Sequence, residues 1–174
     1  MNLQIRFLFT VAFVTFALPC YGQTGTVAFY FAQPGIGQQV TDGVLPFGKV
    51  PFSGFLYDGS QRMAHAKGGR FVIFRLPVGE HQFSASYRSL DPGDPAVRLN
   101  LTDGGFYCVR LSATYKSGSP FLPVGVAHSV IEQVPCARAL KETGNYKSLE
   151  PKRIDPAASL NMVSSQAFPK FDND

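Results

Sequence analysis

Charge is scarce in this sequence. Asp, Glu, Lys and Arg make up 16% of its 174 residues, against about 25% in an ordinary globular domain. The formal net charge is only +4, and no basic cluster is denser than Lys152-Arg153. That excludes the basic stripe of a nucleic-acid binder. Tryptophan is absent, and histidine and cysteine occur three times each. His65, His81 and His128 are too irregularly spaced to match a metal-ligand motif such as H-E-x-x-H. No G-x-S-x-G elbow or phosphate-cradling loop occurs either. Gly35-Ile36-Gly37 follows a strand pattern but opens no helix, and Ser117-Gly118-Ser119 reads as a turn. No catalytic residue, cofactor site or metal site is therefore expected. After residue 22 there is no further long apolar run, so no transmembrane segment is expected in the remaining chain.

What is present is apolar and heavily punctuated. Hydrophobic residues make up 45%, with 16 Phe and 7 Tyr, while 17 Gly and 13 Pro interrupt the chain often. Aromatics suit the half-buried surfaces of sheets, and frequent Gly and Pro suit many short strands joined by turns.

Residues 1–22 have the form of a secretory signal. Arg6 supplies the positive start, residues 7–18 (FLFTVAFVTFAL) form the apolar run, and Pro19-Cys20-Tyr21-Gly22 breaks it. Cleavage between Gly22 and Gln23 places small residues at both specificity positions and predicts an exported product, periplasmic or extracellular. The alternative is a lipid anchor on Cys20, which a bacterial lipoprotein box would require. The residues before it, Ala17-Leu18-Pro19, fit that box poorly.

Cleavage after Gly22 removes Cys20 and leaves Cys108 and Cys136 as an even pair. In an oxidising compartment such a pair reads as a disulfide, worth about 3 kcal/mol for a loop of this length. Two buried free thiols are the other reading.

Strand patterns follow one another from residue 26 onward. Residues 26–32 (TVAFYFA) and 70–76 (RFVIFRL) are apolar runs, the second placed centrally in a sheet. Asp58-Gly59 predicts a tight hairpin between residues 52–57 and 60–66, both turn positions tolerating positive φ. In residues 81–88, His81, Phe83, Ala85 and Tyr87 alternate with Gln82, Ser84, Ser86 and Arg88, which predicts one buried and one solvated face. Residues 96–101, 106–115 and 124–134 complete the strands. Residues 135–141 (PCARALK) suit a short helix, and from Leu149 to the end the Pro-, Ser- and Asn-rich chain reads as a flexible tail. The expected organisation is a signal peptide over 1–22, an antiparallel β-sandwich of seven or eight strands over 23–148, and the tail over 149–174.

Within this frame, Leu76-Pro77-Val78-Gly79-Glu80-His81 leads into an alternating strand, and Gly104-Gly105-Phe106-Tyr107-Cys108-Val109-Arg110 follows later. This order resembles a domain-of-unknown-function family of small exported bacterial proteins, many of them lipoproteins, similar to PEGA-type and transthyretin-like sandwiches. The resemblance implies a sandwich fold and a binding or accessory role, and it carries over no catalytic residue.

Of the candidate chemistry, Glu80 beside His81 is the one acid–base or metal pair the sequence offers. The structural alternative is a turn in which Pro77 sets φ, Gly79 supplies freedom and His81 starts a strand facing inward. Asn100-Leu101-Thr102 matches a glycan acceptor but lies in a strand. Phe47, Phe52, Phe55, Phe121 and Tyr115 fall in loops or at strand ends, as an exposed binding patch or as caps on the core. The leading expectation is a non-catalytic module that binds a protein or other envelope component. An unrecognised hydrolase or metal enzyme and a carbohydrate-binding module are the alternatives.

Overall fold

The structure, a computed structural model, describes residues 22–32, 53–86, 96–119, 122–165 and 167–169, and for 113–119 and 122–128 the backbone alone. Nine strands among the described residues form two sheets. The first sheet has the order β8-β7-β1-β4-β9, built from β1 (Thr24–Phe31), β4 (Arg70–Pro77), β7 (Phe106–Ser119), β8 (Leu122–Val134) and β9 (Lys147–Ser148). The second has the order β3-β2-β5-β6, built from β2 (Ser53–Asp58), β3 (Gln61–Lys67), β5 (Gly79–Ser86) and β6 (Ala96–Leu101). The mainly β sandwich read from the sequence is the observed fold. It is not wholly antiparallel: β7 runs parallel to β1, and β9 parallel to β4.

Alternation along β1 explains how the first sheet sits between two apolar layers. Val27, Phe29 and Phe31 point toward the second sheet and join a core with Val72, Phe74, Leu56, Phe83 and Leu101. Phe29 meets Phe83 edge-on at 4.9 Å and Phe74 at 6.1 Å, tying the sheets together. Ala28 and Tyr30 point the other way, into a second core with Phe71, Ile73, Val134, Ala139 and Phe168. Sheets covered on both faces read as continuous apolar runs rather than alternating ones, which is why TVAFYFA and RFVIFRL look as they do.

The second core is closed by helix α1 (Cys136–Thr143), two residues longer at its end than residues 135–141 suggest, which lays Ala139 and Thr143 inward. Cys108 stands opposite Val134 in the β7–β8 register, so Cys136 arrives beside it just past the strand. The disulfide expected between Cys108 and Cys136 is present, with a Cα–Cα distance of 5.3 Å.

The segment from Leu149 is not a tail hanging from the domain. A 3-10 turn (Pro151–Arg153) and a short helix α2 (Pro156–Ser159) lace it along the body. Ile154 bridges Ala64 on β3, Met162 bridges Phe74 on β4, and Leu149, Ile154, Ala158 and Phe168 are buried. Backbone N–H groups of Leu149, Asp155 and Val163 donate to Phe71, Met63 and Ile73 carbonyls at 2.7–2.8 Å. This strap covers the outer edges of β3 and β4, which would otherwise present unpaired backbone groups.

One turn shifts by a residue, and another joins the two sheets. The β2–β3 loop is Gly59-Ser60, with Asp58 still paired to Gln61, and only Gly59 takes a positive φ, +54°. Asp58 therefore remains a strand residue whose carboxylate faces inward. The Pro77-Val78-Gly79 turn does not return the chain within one sheet; it carries it from β4 in the first sheet to β5 in the second. Gly79, at φ +127°, makes that crossing in a conformation other residues avoid.

Candidate binding surface

The Glu80–His81 pair is not assembled. Neighbours along a strand face opposite sides, and Glu80 is exposed while His81 is half-buried. The partner of His81 is Asp58, whose Oδ2 lies 2.7 Å from Nδ1, while Nε2 lies 3.0 Å from the Pro77 carbonyl oxygen. The ring also lies parallel to Phe83, with centroids 5.7 Å apart. His81 thus ties the end of β2 to the crossover between the sheets. Pro77 is the last residue of β4, Gly79 the first of β5 and His81 its third, so only Val78 lies between the two strands.

His65 sits on the other face of the same sheet. It is opposite Phe55 in the β2–β3 register, on the side away from Leu56 and Ala64. The imidazole stacks on Phe55 with centroids 4.8 Å apart. Arg153 Nη1 donates to Nδ1 at 3.2 Å, which leaves Nε2 to donate to Ser53 Oγ at 3.3 Å. Burial first, then the Arg153 and Arg62 charges, hold His65 below the usual histidine range. The side chain of His128 lies outside the described residues. Among those described, no group of three or more His, Cys, Asp or Glu side chains is placed to hold a metal ion.

The polar cluster with the most partners involves residues that sequence reasoning did not single out. Tyr30 on β1 stands beside Arg110 on β7, which stands beside Glu132 on β8. Glu142 from α1 closes this row: its Oε2 accepts from Tyr30 Oη at 2.9 Å and Arg110 Nε at 3.1 Å, and its Oε1 from Arg138 Nε at 2.7 Å. Arg110 Nη1 donates to Glu132 at 2.9 Å. Burial pushes the Glu142 carboxyl up, but hydrogen bonds from Arg138 and Tyr30 and the charges of Arg110 and Arg138 outweigh it and hold it low. Burial, then Glu142, raises the Tyr30 phenol well above its usual range. Every member is matched within the row, so its role is to clamp α1 to the sheet. The Arg138–Glu142 spacing of four was the only part visible locally.

The outer face of β2 and β3 gathers charge around an aromatic. Arg62 lies over Phe55 at 5.6 Å and pairs with Asp155 at 3.1 Å. Glu150 on the strap meets Arg70 at 3.4 Å, and Lys152 and Arg153 at 3.5 Å each. Lys152 first, then Arg70 and Arg153, hold its carboxyl below the usual range.

Burial on the second sheet's outer face differs from expectation. Ser84 and Ser86, expected in solvent, are buried, as is Tyr57; Tyr87 and Arg88 lie outside the described residues. Of the five aromatics considered as a patch, only Phe55 has a described side chain, and it is half-buried. Val78 and Leu160 are the exposed large hydrophobics among the described residues.

Tyr107 fixes the β6–β7 turn, its hydroxyl accepting from the Thr102 N–H and donating to the Asn100 carbonyl, each at 3.1 Å. No helix among the described residues is long and apolar enough to cross a membrane. Comparison with protein families, with curated proteins and with solved structures finds no match for this chain.

Proposed function

We propose that this chain is a non-catalytic β-sandwich module, exported to an oxidising compartment, that binds another component of the cell envelope. The observation that carries this reading is the separation of His65 and His81 onto opposite faces of one sheet, each engaged by neighbours that hold the fold. An acid–base or metal centre needs such groups to converge on one reacting atom. The Cys108–Cys136 bridge supports an oxidising compartment. The leader-like residues 1–22 and the resemblance to exported sandwich domains point the same way.

Crosslinking in intact cells, followed by pull-down from the envelope fraction and intact mass of the mature chain, tests the proposal. The expected result is a discrete crosslinked partner and an unlipidated product beginning at Gln23. A diacylated Cys20 would replace the free product with an anchored one. Turnover of ester, amide or glycoside substrates that is lost in His81→Ala would overturn the non-catalytic reading.

A further inference from the structure

We infer that the outer face of β2 and β3, together with the strap, docks an acidic, carboxylate-rich stretch of a partner polypeptide. This rests on the binding-module reading above and names the chemistry of what is bound. Register puts His65 opposite Phe55 and Lys67 opposite Ser53, so all four residues share the outer face. Arg62 reaches over the Phe55 ring, Arg153 and Lys152 arrive from the strap, and Arg70 joins them at Glu150. Four cations, Arg62, Arg70, Lys152 and Arg153, meet two carboxylates, Glu150 and Asp155, and Lys67 on the same face adds a fifth, leaving a net +3 on this surface. The whole sequence carries only +4, so the excess positive charge is concentrated rather than spread.

Three features select carboxylates as the ligand. Both resident anions are carboxylates, Glu150 immediately before the strap's 3-10 turn and Asp155 two residues after it, and both are held by arginine side chains. The strap thus shows in cis how an acidic segment meets the planar, many-donor fork of arginine. Capacity remains, because the Lys152 side chain is 79% exposed and that of Arg62 54% exposed. Burial first, then the Arg153 and Arg62 charges, hold His65 low, so the cations of this face act on its ring. A bilayer surface fits less well: it favours apolar side chains able to enter it, and Phe55 is half-buried between His65 and Arg62.

The test uses the mature protein and poly-L-glutamate as probe, with binding followed by fluorescence anisotropy at low and physiological salt. Binding that weakens with salt is expected, reduced at least tenfold in the double variant Arg62→Ser/Lys152→Ser. A charge-matched control, Arg98→Ser/Lys141→Ser, is expected to bind like the wild type. The His65 ring, followed by NMR, should titrate at higher pH with the probe bound, a readout that does not depend on any variant folding. The proposal is overturned by equal weakening in both doubles, by no binding of poly-L-glutamate, or by binding only to phosphatidylglycerol vesicles. If the Arg62→Ser/Lys152→Ser protein keeps its crosslinked envelope partner undiminished, this surface is wrong while the binding-module reading stands.

Discussion

The five-stranded sheet is covered on both faces, by the four-stranded sheet on one side and by α1 with Phe168 on the other. The four-stranded sheet buries one face in the same core, but on its other face, at β2 and β3, it carries Phe55, His65, Arg62 and Lys67. The first sheet is therefore held by apolar area, a bridge and the part-buried Arg110 ion pairs that clamp α1, the second partly by ion pairs and ring contacts that water reaches. Area removed from water contributes roughly 25 cal/mol per Å², whereas exposed ion pairs contribute about 0–1 kcal/mol each. Stability is thus concentrated around the first sheet, and the charged face of the second contributes less.

One residue type on the two sheets gives the largest contrast. Phe29→Ala should destabilise by about 3–5 kcal/mol, because its ring is fully buried against Phe74 and Phe83. Phe55→Ala, on the outer face, should cost at most about 1–2 kcal/mol. Urea unfolding of the two variants measures the difference, and near-equal losses would break the comparison.

Removing the bridge with Cys108→Ser/Cys136→Ser should cost about 3 kcal/mol. Hydrogen exchange should rise most in α1, since the helix begins at Cys136, and least in β2 and β3. Glu142→Gln should cost about 1–2 kcal/mol by leaving Arg110 and the buried Tyr30 hydroxyl with a weaker acceptor.

The same carboxyl sets an acid limit. Its folded value lies below the ordinary 4.5, so its contribution is complete above that value and is lost as pH falls through the lower folded one. Thermal melts of wild type and Glu142→Gln should therefore converge below about pH 4.5.

The smallest effect belongs to the second sheet. His65 is held below its ordinary 6.5, so its contribution is whole above pH 6.5 and declines as pH drops from there through the folded value. In Arg153→Ala the ring should titrate nearer the ordinary value, by NMR, because one of the two guanidinium charges acting on it is gone. No upward movement would mean that the Arg153 charge does not act on the ring.

Much of the first sheet was legible from residue order. TVAFYFA and RFVIFRL are apolar runs, as strands covered on both faces are. The hairpin at Gly59 was legible but displaced by one residue, since Asp-Gly and Gly-Ser both fit a two-residue loop. That shift decided the fate of Asp58, whose carboxylate stays in the strand and meets His81. The covered Ser84 and Ser86 were misread because alternation reports side-chain chemistry, not what packs above it.

The charged face was barely legible. Phe55 and His65 come from two strands, Arg153 from a strap 88 residues beyond His65, and no local spacing links them. Residues 149–165 have poor intrinsic propensity, with scattered Pro, Ser and Asn, so their pattern resembles a tail. Their order comes from backbone groups on β3 and β4 that need partners, and from the gap that Leu149 and Ile154 fill.

Composition and local pattern by themselves determined the mainly β class and most strand positions, because turn chemistry and apolar runs act over short stretches; the Cys108–Cys136 bridge was one of two readings until the structure brought the residues to a Cα–Cα distance of 5.3 Å. Tertiary structure alone decided which edges are sealed, which carboxylates His81, Arg62, Arg70 and Arg110 meet, and where the surplus positive charge gathers. Those depend on distances between residues far apart in the chain, and such distances exist only once the two sheets have closed on each other.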